Sequence, residues 1–247
     1  MKFYNTKIIC LVFMIFISGC STRENVPISQ TFFAKPSKVM IAQISGFEKP
    51  GFYRRGQQGI VDFVISDLMT TTLQEELSKI NSQDVLENYY YKMYSTILTS
   101  CSCKETAYKH PISKETLQSS PIEDEQHAPY DFRFLKKNNG SEYAFIVEPH
   151  VFGISRPYYG FIPTGSPVGY AHLSIYLVNL SDNSILGEYT TIVEEKAAGE
   201  WDAPPQYSSL MKACKDALAK ALSNAYIFFF RDDNVKNNSH AVQGYSG

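Results

Sequence analysis

The densest group of side chains able to do acid–base chemistry is Glu194, Glu195, Glu200 and Asp202, gathered around the single Trp201. Two carboxylates beside an aromatic ring are the working parts of a glycosidase, one kept protonated and one ionised. In a chain segment this polar, the simpler reading is a solvated acidic loop with one anchoring Trp. The five histidines include no His-x-x-x-His pair. His150 and His172 fall in predicted strands, where a hydrogen-bonded structural role is the ordinary one. Gly-x-Ser-x-Gly, the P-loop and Gly-x-Gly-x-x-Gly are all absent from the sequence, which removes the usual hydrolase and nucleotide signatures. The expectation is a protein that is not an enzyme and carries no metal or cofactor.

The cysteines come next. Cys10 and Cys20 lie near the start, and Cys101, Cys103 and Cys214 lie further along. Cys101 and Cys103 are too close in sequence to bridge one another without strain. Cys214 joined to either would tie a mid-chain loop to a C-terminal helix, with the third thiol left over. Cys101, Cys103, Cys214 and His110 could instead hold zinc, although Cys-x-Cys is not the usual ligand spacing. A structural disulfide is the favoured reading.

The first twenty residues are an address. Lys2 and Lys7 precede an unbroken apolar run from Ile8 to Ile17, followed by Ser18-Gly19-Cys20. A basic start, a short apolar stretch and small residues before the cut are the parts of a secretory signal. The run is shorter than the roughly 20 residues that span a bilayer. Ile17-Ser18-Gly19-Cys20 resembles the bacterial lipobox. That resemblance implies a signal peptide over 1–19, cleavage before Cys20 and acylation of Cys20, with palmitate as the expected chain. Ser21 follows, and the absence of Asp there resembles outer- rather than inner-membrane sorting. The expected place is the outer membrane, lipid-anchored and facing the periplasm.

Composition then limits the partners. The chain of 247 residues is 44% hydrophobic and 19% charged, with a net charge of −2. With 17 Tyr and 16 Phe, a large core is available. Arg54-Arg55 and Lys136-Lys137 are isolated basic pairs rather than a cluster, so nucleic acid is not an expected partner.

These groups need elements to hold them. Residues 20–36, polar and with Pro27 and Pro36, read as a lipidated tether. Residues 37–230 read as a single α+β periplasmic domain, and 231–247 as a disordered tail. Lys38 to Ser45 is a short apolar run and a first strand. Val61, Ile65, Leu68, Met69, Leu73, Leu77 and Ile80 recur at helical steps over about 59–80. Residues 84–98 suit strand by their tyrosines and helix by their length. Residues 99–141 read as a long insertion without regular structure. Strands follow at Glu142–Phe152, Val168–Asn179 and Ile185–Lys196, the last two joined by the turn Ser181–Ser184 as a hairpin. Alternation of His172, Ser174 and Tyr176 with Leu173, Ile175 and Leu177 predicts one wet face. Tyr207 to Ala225 carries a continuous apolar stripe, capped by Ser208 or Ser209. The expected fold is a mainly antiparallel sheet with amphipathic helices on one face, plus the mid-chain insertion.

Leu177 to Glu188, with Asp182-Asn183-Ser184-Ile185-Leu186 at its centre, resembles a hairpin of small periplasmic lipoproteins. That group includes the TolB N-terminal domain, the curli-assembly lipoproteins and the outer-membrane lipoprotein activators of penicillin-binding proteins. Glu142 to Val147 fills the place of the group's central strand, and Ala213 to Ala225 that of its closing helix. The resemblance covers about 38–98 and 142–230. The insertion departs from it, and so does Ser184, which stands where the group has Gly. A curli-type pore is disfavoured, since no pair of long alternating strands suits a bilayer crossing.

The remaining candidates suit binding. Arg156 to Pro167 carries Tyr158, Tyr159 and Phe161 among prolines, and a stiff aromatic loop loses little entropy on contact. Phe47 with Phe52-Tyr53-Arg54-Arg55 mixes aromatics with Arg, as interfaces do. The expected function is a non-enzymatic protein-binding or assembly factor of an envelope complex, such as secretion machinery or a cell-wall synthase. The alternatives are a wall- or lipid-acting enzyme using the acidic loop, and a small-ligand carrier with an apolar pocket between sheet and helix.

Overall fold

The computed structural model describes residues 24–28, 30–33, 37–47, 50–56, 72–73, 75–101, 104–107, 111–202 and 207–230. Apolar residues at every second position build its sheet. In β1 (Lys38–Gln43), Val39 and Ile41 face one core while Met40 and Ala42 face a second. In β4 (Tyr143–Tyr159), Phe145 and Val147 face the first, Ala144 and Ile146 the second. A strand buried on both faces reads as a nearly continuous apolar run, and both segments do.

The architecture is α+β, and the sheet is mixed. Its main path runs β3 (Lys104–Ala107), β1, β4, β6 (Val168–Asn179) and β7 (Ile185–Lys196). β2 (Gly51–Arg55) and β5 (Ile162–Pro163) both pair with β4. The β4–β6 and β6–β7 ladders are antiparallel, as expected. β1 pairs with β3 and β4 in parallel, and β2 with β4 likewise. The β4–β6 register shifts between Pro149 and Val151, where Pro149 has no N–H to donate.

One face is covered by helices. Residues 84–98, ambiguous in sequence, belong to a helix, α2 (Gln83–Cys101), burying Leu86, Tyr89, Met93 and Ile97 at helical spacing. The last helix, α4 (Ser208–Phe230), runs five residues past the expected end because Phe229 and Phe230 continue its buried stripe. Ser209 does not cap it, since its hydroxyl donates to the Glu200 carbonyl. A Cβ on Gly169 of β6 would stand 2.1 Å from the Ala213 carbonyl oxygen. Only glycine lets the helix backbone lie this close to the strand. Of the helix expected over 59–80, residues 72–73 and 75–78 are helical, with Leu73, Leu77 and Ile80 buried; the remainder lies outside the described residues.

The other face, expected to be wet, is dry at Ser174 and Tyr176 and half-open at His172. Ser174 is 2% and Tyr176 5% exposed. Residues 111–135, read from sequence as part of an unstructured insertion, cover them with Ile112, Ala128, Phe132 and Leu135. A short helix, α3 (Phe134–Asn139), ends this cover. Asn183 pins it. Its Oδ1 accepts from the Phe132 N–H at 3.0 Å, and its Nδ2 donates to the Tyr130 carbonyl at 2.9 Å. Asn183 adopts φ 67, so the left-handed residue of this turn is Asn183 itself, which is why Ser184 can stand where the resembled group has Gly. The expected tether is partly docked too. A short helix, α1 (Gln30–Phe33), carries Phe32, 1% exposed, into the first core.

Candidate functional site

The two sequence-predicted contact segments come together at one end of the sheet. β2 lies parallel to β4 with Phe52 opposite Ile154, Tyr53 opposite Ser155 and Arg54 opposite Arg156. A Cβ on Gly153, at φ 146, would meet the Gly51 carbonyl at 2.0 Å, so this pairing depends on glycine. Past the pairing, β4 turns into β5, with Tyr158 opposite Pro163 and Tyr159 opposite Ile162. Gly160, at φ 59, supplies the left-handed bend.

At the tip, Tyr159 is 72%, Phe161 61% and Ile162 57% exposed. Three large apolar side chains thus stand in water at one hairpin. The arginines hold the hairpin from behind. The Arg54 guanidinium lies 3.9 Å from the Tyr158 ring centroid and donates to the Gly160 carbonyl at 3.1 Å. Arg156 donates to the Gly165 carbonyl at 2.9 Å and sits 5.0 Å from the Trp201 ring. Trp201 in turn stacks on Tyr207 at 6.1 Å. Arg55 pairs with Glu194. Each contact removes side-chain freedom before any partner arrives.

The candidates therefore divide. Tyr159 and Phe161 face water. Arg54 and Tyr158 position them. Tyr53 is half-buried, and burial pushes its hydroxyl pKa up. Phe52 packs against the first core, and Phe47 is wholly inside it, edge-on to Phe152 at 6.1 Å.

Within the acidic group, Glu194 and Glu195 do not converge. Glu194 is held by Arg55, and Glu195 by Lys220 at 2.5 Å. Adjacent strand residues point to opposite faces, so the two carboxylates diverge. An apolar groove of about 330 Å³ lies between α2 and α4, lined by Val85, Tyr89, Lys92, Leu222 and Tyr226. It separates two helices and does not enter the space between sheet and helix that a carrier would use.

One cluster was not anticipated. Glu148, 3% exposed, accepts from Lys114 at 3.0 Å and from the Tyr176 hydroxyl at 3.2 Å. His150 Nε2 lies 2.7 Å from the Ser174 hydroxyl, which lies 2.7 Å from that of Thr190. The His150 and His172 rings are 4.6 Å apart. Burial lowers the pKa of both histidines, and proximity to His150 lowers that of His172 further. Burial and the Glu148 charge raise that of Tyr176. Ser174 is buried and shared between two partners on neighbouring strands, and the cluster is tied to the cover by the Lys114–Glu148 bond. Its signal in sequence was the polar alternation of β6, but Lys114 and Glu148 are far away along the chain.

Cys214 is a free thiol at the helix–sheet contact, its pKa raised to about 12 by burial. The bridge expected through it is not formed, because its side chain points into the apolar core. Cys103 and Cys20 lie outside the described residues, as does the Cys101 side chain. Among the described residues no group of His, Cys, Asp and Glu could hold a metal ion, and no helix is long and apolar enough to cross a membrane.

No protein-family model and no curated protein matches the chain. Several solved structures have a related shape. Protein XCC0632 from Xanthomonas campestris is 11% identical, at a TM-score of 0.37, covering 87% of this chain and 95% of its own. The PelC dodecamer protein from Paraburkholderia phytofirmans is 10% identical, at 0.30, covering 77% and 89%. Lipoprotein GNA1162 from Neisseria meningitidis is 11% identical, at 0.27, covering 76% and 99%. These are distant likenesses of shape, and function is argued below from the residues.

Proposed function

We propose that this chain is a lipid-anchored protein of the bacterial outer membrane that captures an envelope protein partner with its aromatic hairpin. One observation carries the reading. Two segments more than a hundred residues apart converge to expose Tyr159, Phe161 and Ile162 at a single tip while Arg54 and Arg156 lock that tip in place. A stiff aromatic knob loses little conformational entropy on docking and offers a large apolar area. Cys20 supplies the anchor. A catalytic reading finds no support in the acidic loop, whose two strand carboxylates are each taken up by a cation.

In-cell crosslinking tests the proposal. A photo-reactive residue replaces Tyr159, and adducts are identified by mass spectrometry from solubilised envelopes. One dominant protein adduct, lost on Phe161→Ala, is expected. No protein adduct from a folded, membrane-attached protein would overturn the assignment.

A further inference from the structure

We infer that the groove between α2 and α4 is a binding site for a small, neutral and mainly apolar molecule that carries a carbonyl oxygen. The site is independent of the hairpin and of the hairpin's partner. Two facing stripes make the groove. Val85, Tyr89 and Lys92 line it from α2, and Ala219, Leu222 and Tyr226 from α4. Each set recurs at three- and four-residue steps and so shares one face of its helix. The two faces meet at one end, where the Thr96 and Tyr226 hydroxyls lie 2.8 Å apart. One to two turns earlier in α4 the groove is lined by Ala219 and Ser223, which are too small to fill the gap between the helices.

A polar atom in this groove lacks a partner. Tyr89 is 6% exposed, and among the described residues its buried hydroxyl makes no hydrogen bond. The tyrosines around it are satisfied. Tyr90 donates to Gln43 Oε1 at 2.8 Å, and the Tyr226 hydroxyl pairs with that of Thr96. A buried Tyr hydroxyl ordinarily finds a partner, because one left unbonded loses its hydration and gains nothing. Phenylalanine would line the same apolar wall without that cost. Burial raises the Tyr89 pKa well above its ordinary value, so the hydroxyl stays protonated and offers its hydrogen to an acceptor oxygen.

The walls set the rest of the ligand. Leu222 is buried, and Val85 and Tyr226 are half-buried, so most of the occupant is apolar. A charged group against them would lose its hydration without replacement. Asp84 stands exposed at the rim, which disfavours an anion. The Lys92 amine is 4.0 Å from the Tyr226 ring centroid, where the ring face holds a cation. A ketone, ester or amide oxygen accepts without carrying charge and so meets the Tyr89 donor. The groove's volume of about 330 Å³ is at the small end of ligand sites, which run from roughly 300 to 1,000 Å³. One ring with a short chain suits it.

The test is calorimetric titration of the purified full chain with butyrophenone and with butylbenzene, which differ by one carbonyl group. Butyrophenone is expected to bind about tenfold more tightly, the worth of one net hydrogen bond. Tyr89→Phe should erase that difference. It should leave the thermal unfolding midpoint of the free protein unchanged or raised, because the hydroxyl it removes is bonded to nothing. Ser223→Phe, which fills the groove, should abolish the binding of both compounds. Tyr159→Ala should change neither affinity, which separates this site from the hairpin. Absence of binding, equal affinities for the two compounds, or a preference that survives Tyr89→Phe would overturn the inference. Binding that survives Ser223→Phe would place the compounds elsewhere and overturn it too. A lowered unfolding midpoint in Tyr89→Phe would show that the hydroxyl already has a partner, with the same consequence.

Discussion

Both faces of the sheet bury a core, and the two are built differently. On the helical face, α4 lays one stripe from Leu210 to Phe230 across the strands, and Gly169 lets its backbone touch β6. On the other face, a cover without long helices is fastened by Asn183 and by the Lys114–Glu148 pair, over strands cross-linked by the His150–Ser174–Thr190 chain. The first face is held by area and the second by directional bonds added to a smaller apolar cluster. Apolar burial is tolerant of small shifts, whereas a buried polar network costs free energy as soon as one member is lost.

This contrast can be broken from either side. The largest effect is expected from Phe145→Ala, which empties the centre of an aromatic group with Phe229 at 5.8 Å and Phe32 at 6.2 Å. It should cost about 3–5 kcal/mol, measured by denaturant unfolding, and should loosen the whole fold. Asn183→Gly keeps the left-handed turn and removes the bonds to Phe132 and Tyr130. A loss of about 1–3 kcal/mol is expected. Hydrogen exchange should rise over 111–135 before it rises in α4. Uniform exchange would show that the cover is not a separate layer.

The third prediction concerns pH. Burial holds the His150 and His172 pKa values below 6.5, against the pull of Glu148 and with the help of Lys114. The unfolded chain therefore binds protons first as pH falls, and the stability due to neutral histidines is lost below about 6.5. Thermal unfolding from pH 7.5 to 5 should show this loss, with exchange rising first under the cover. His150→Gln should flatten the curve, and an unchanged curve would mean the rings are solvated. The smallest stability effect belongs to the hairpin. Tyr159→Ala and Phe161→Ala should each change unfolding by under about 0.5 kcal/mol while partner capture is lost. Arg54→Ala should weaken capture and leave unfolding nearly as unperturbed.

Legibility followed the same division. The helical face could be read because its signals are local: the stripe of α4, the bounds of β6 and β7, and the apolar alternation of β1 are patterns within one segment. The second face could not, because its partners are remote. Ser174 and Tyr176 look solvent-facing until Lys114 and Phe132 are folded over them. The candidate site was half legible. Tyr159 and Phe161 were named from their own loop, and residues 52–54 from theirs. That Phe52 is packed inward, that Tyr158 serves Arg54, and that Glu194 and Glu195 point apart could not be read from spacing.

By itself the sequence determined the α+β class, the long antiparallel strands and the closing helix, since each depends on residues that are neighbours in the chain. The tertiary structure alone decided that β2 enters the sheet in parallel, that residues 111–135 cover a second core, and that Arg54 of one segment holds the hairpin of another. Those outcomes depend on pairings between distant segments, where strand register and the burial of a few polar groups select one arrangement among many that local pattern would allow.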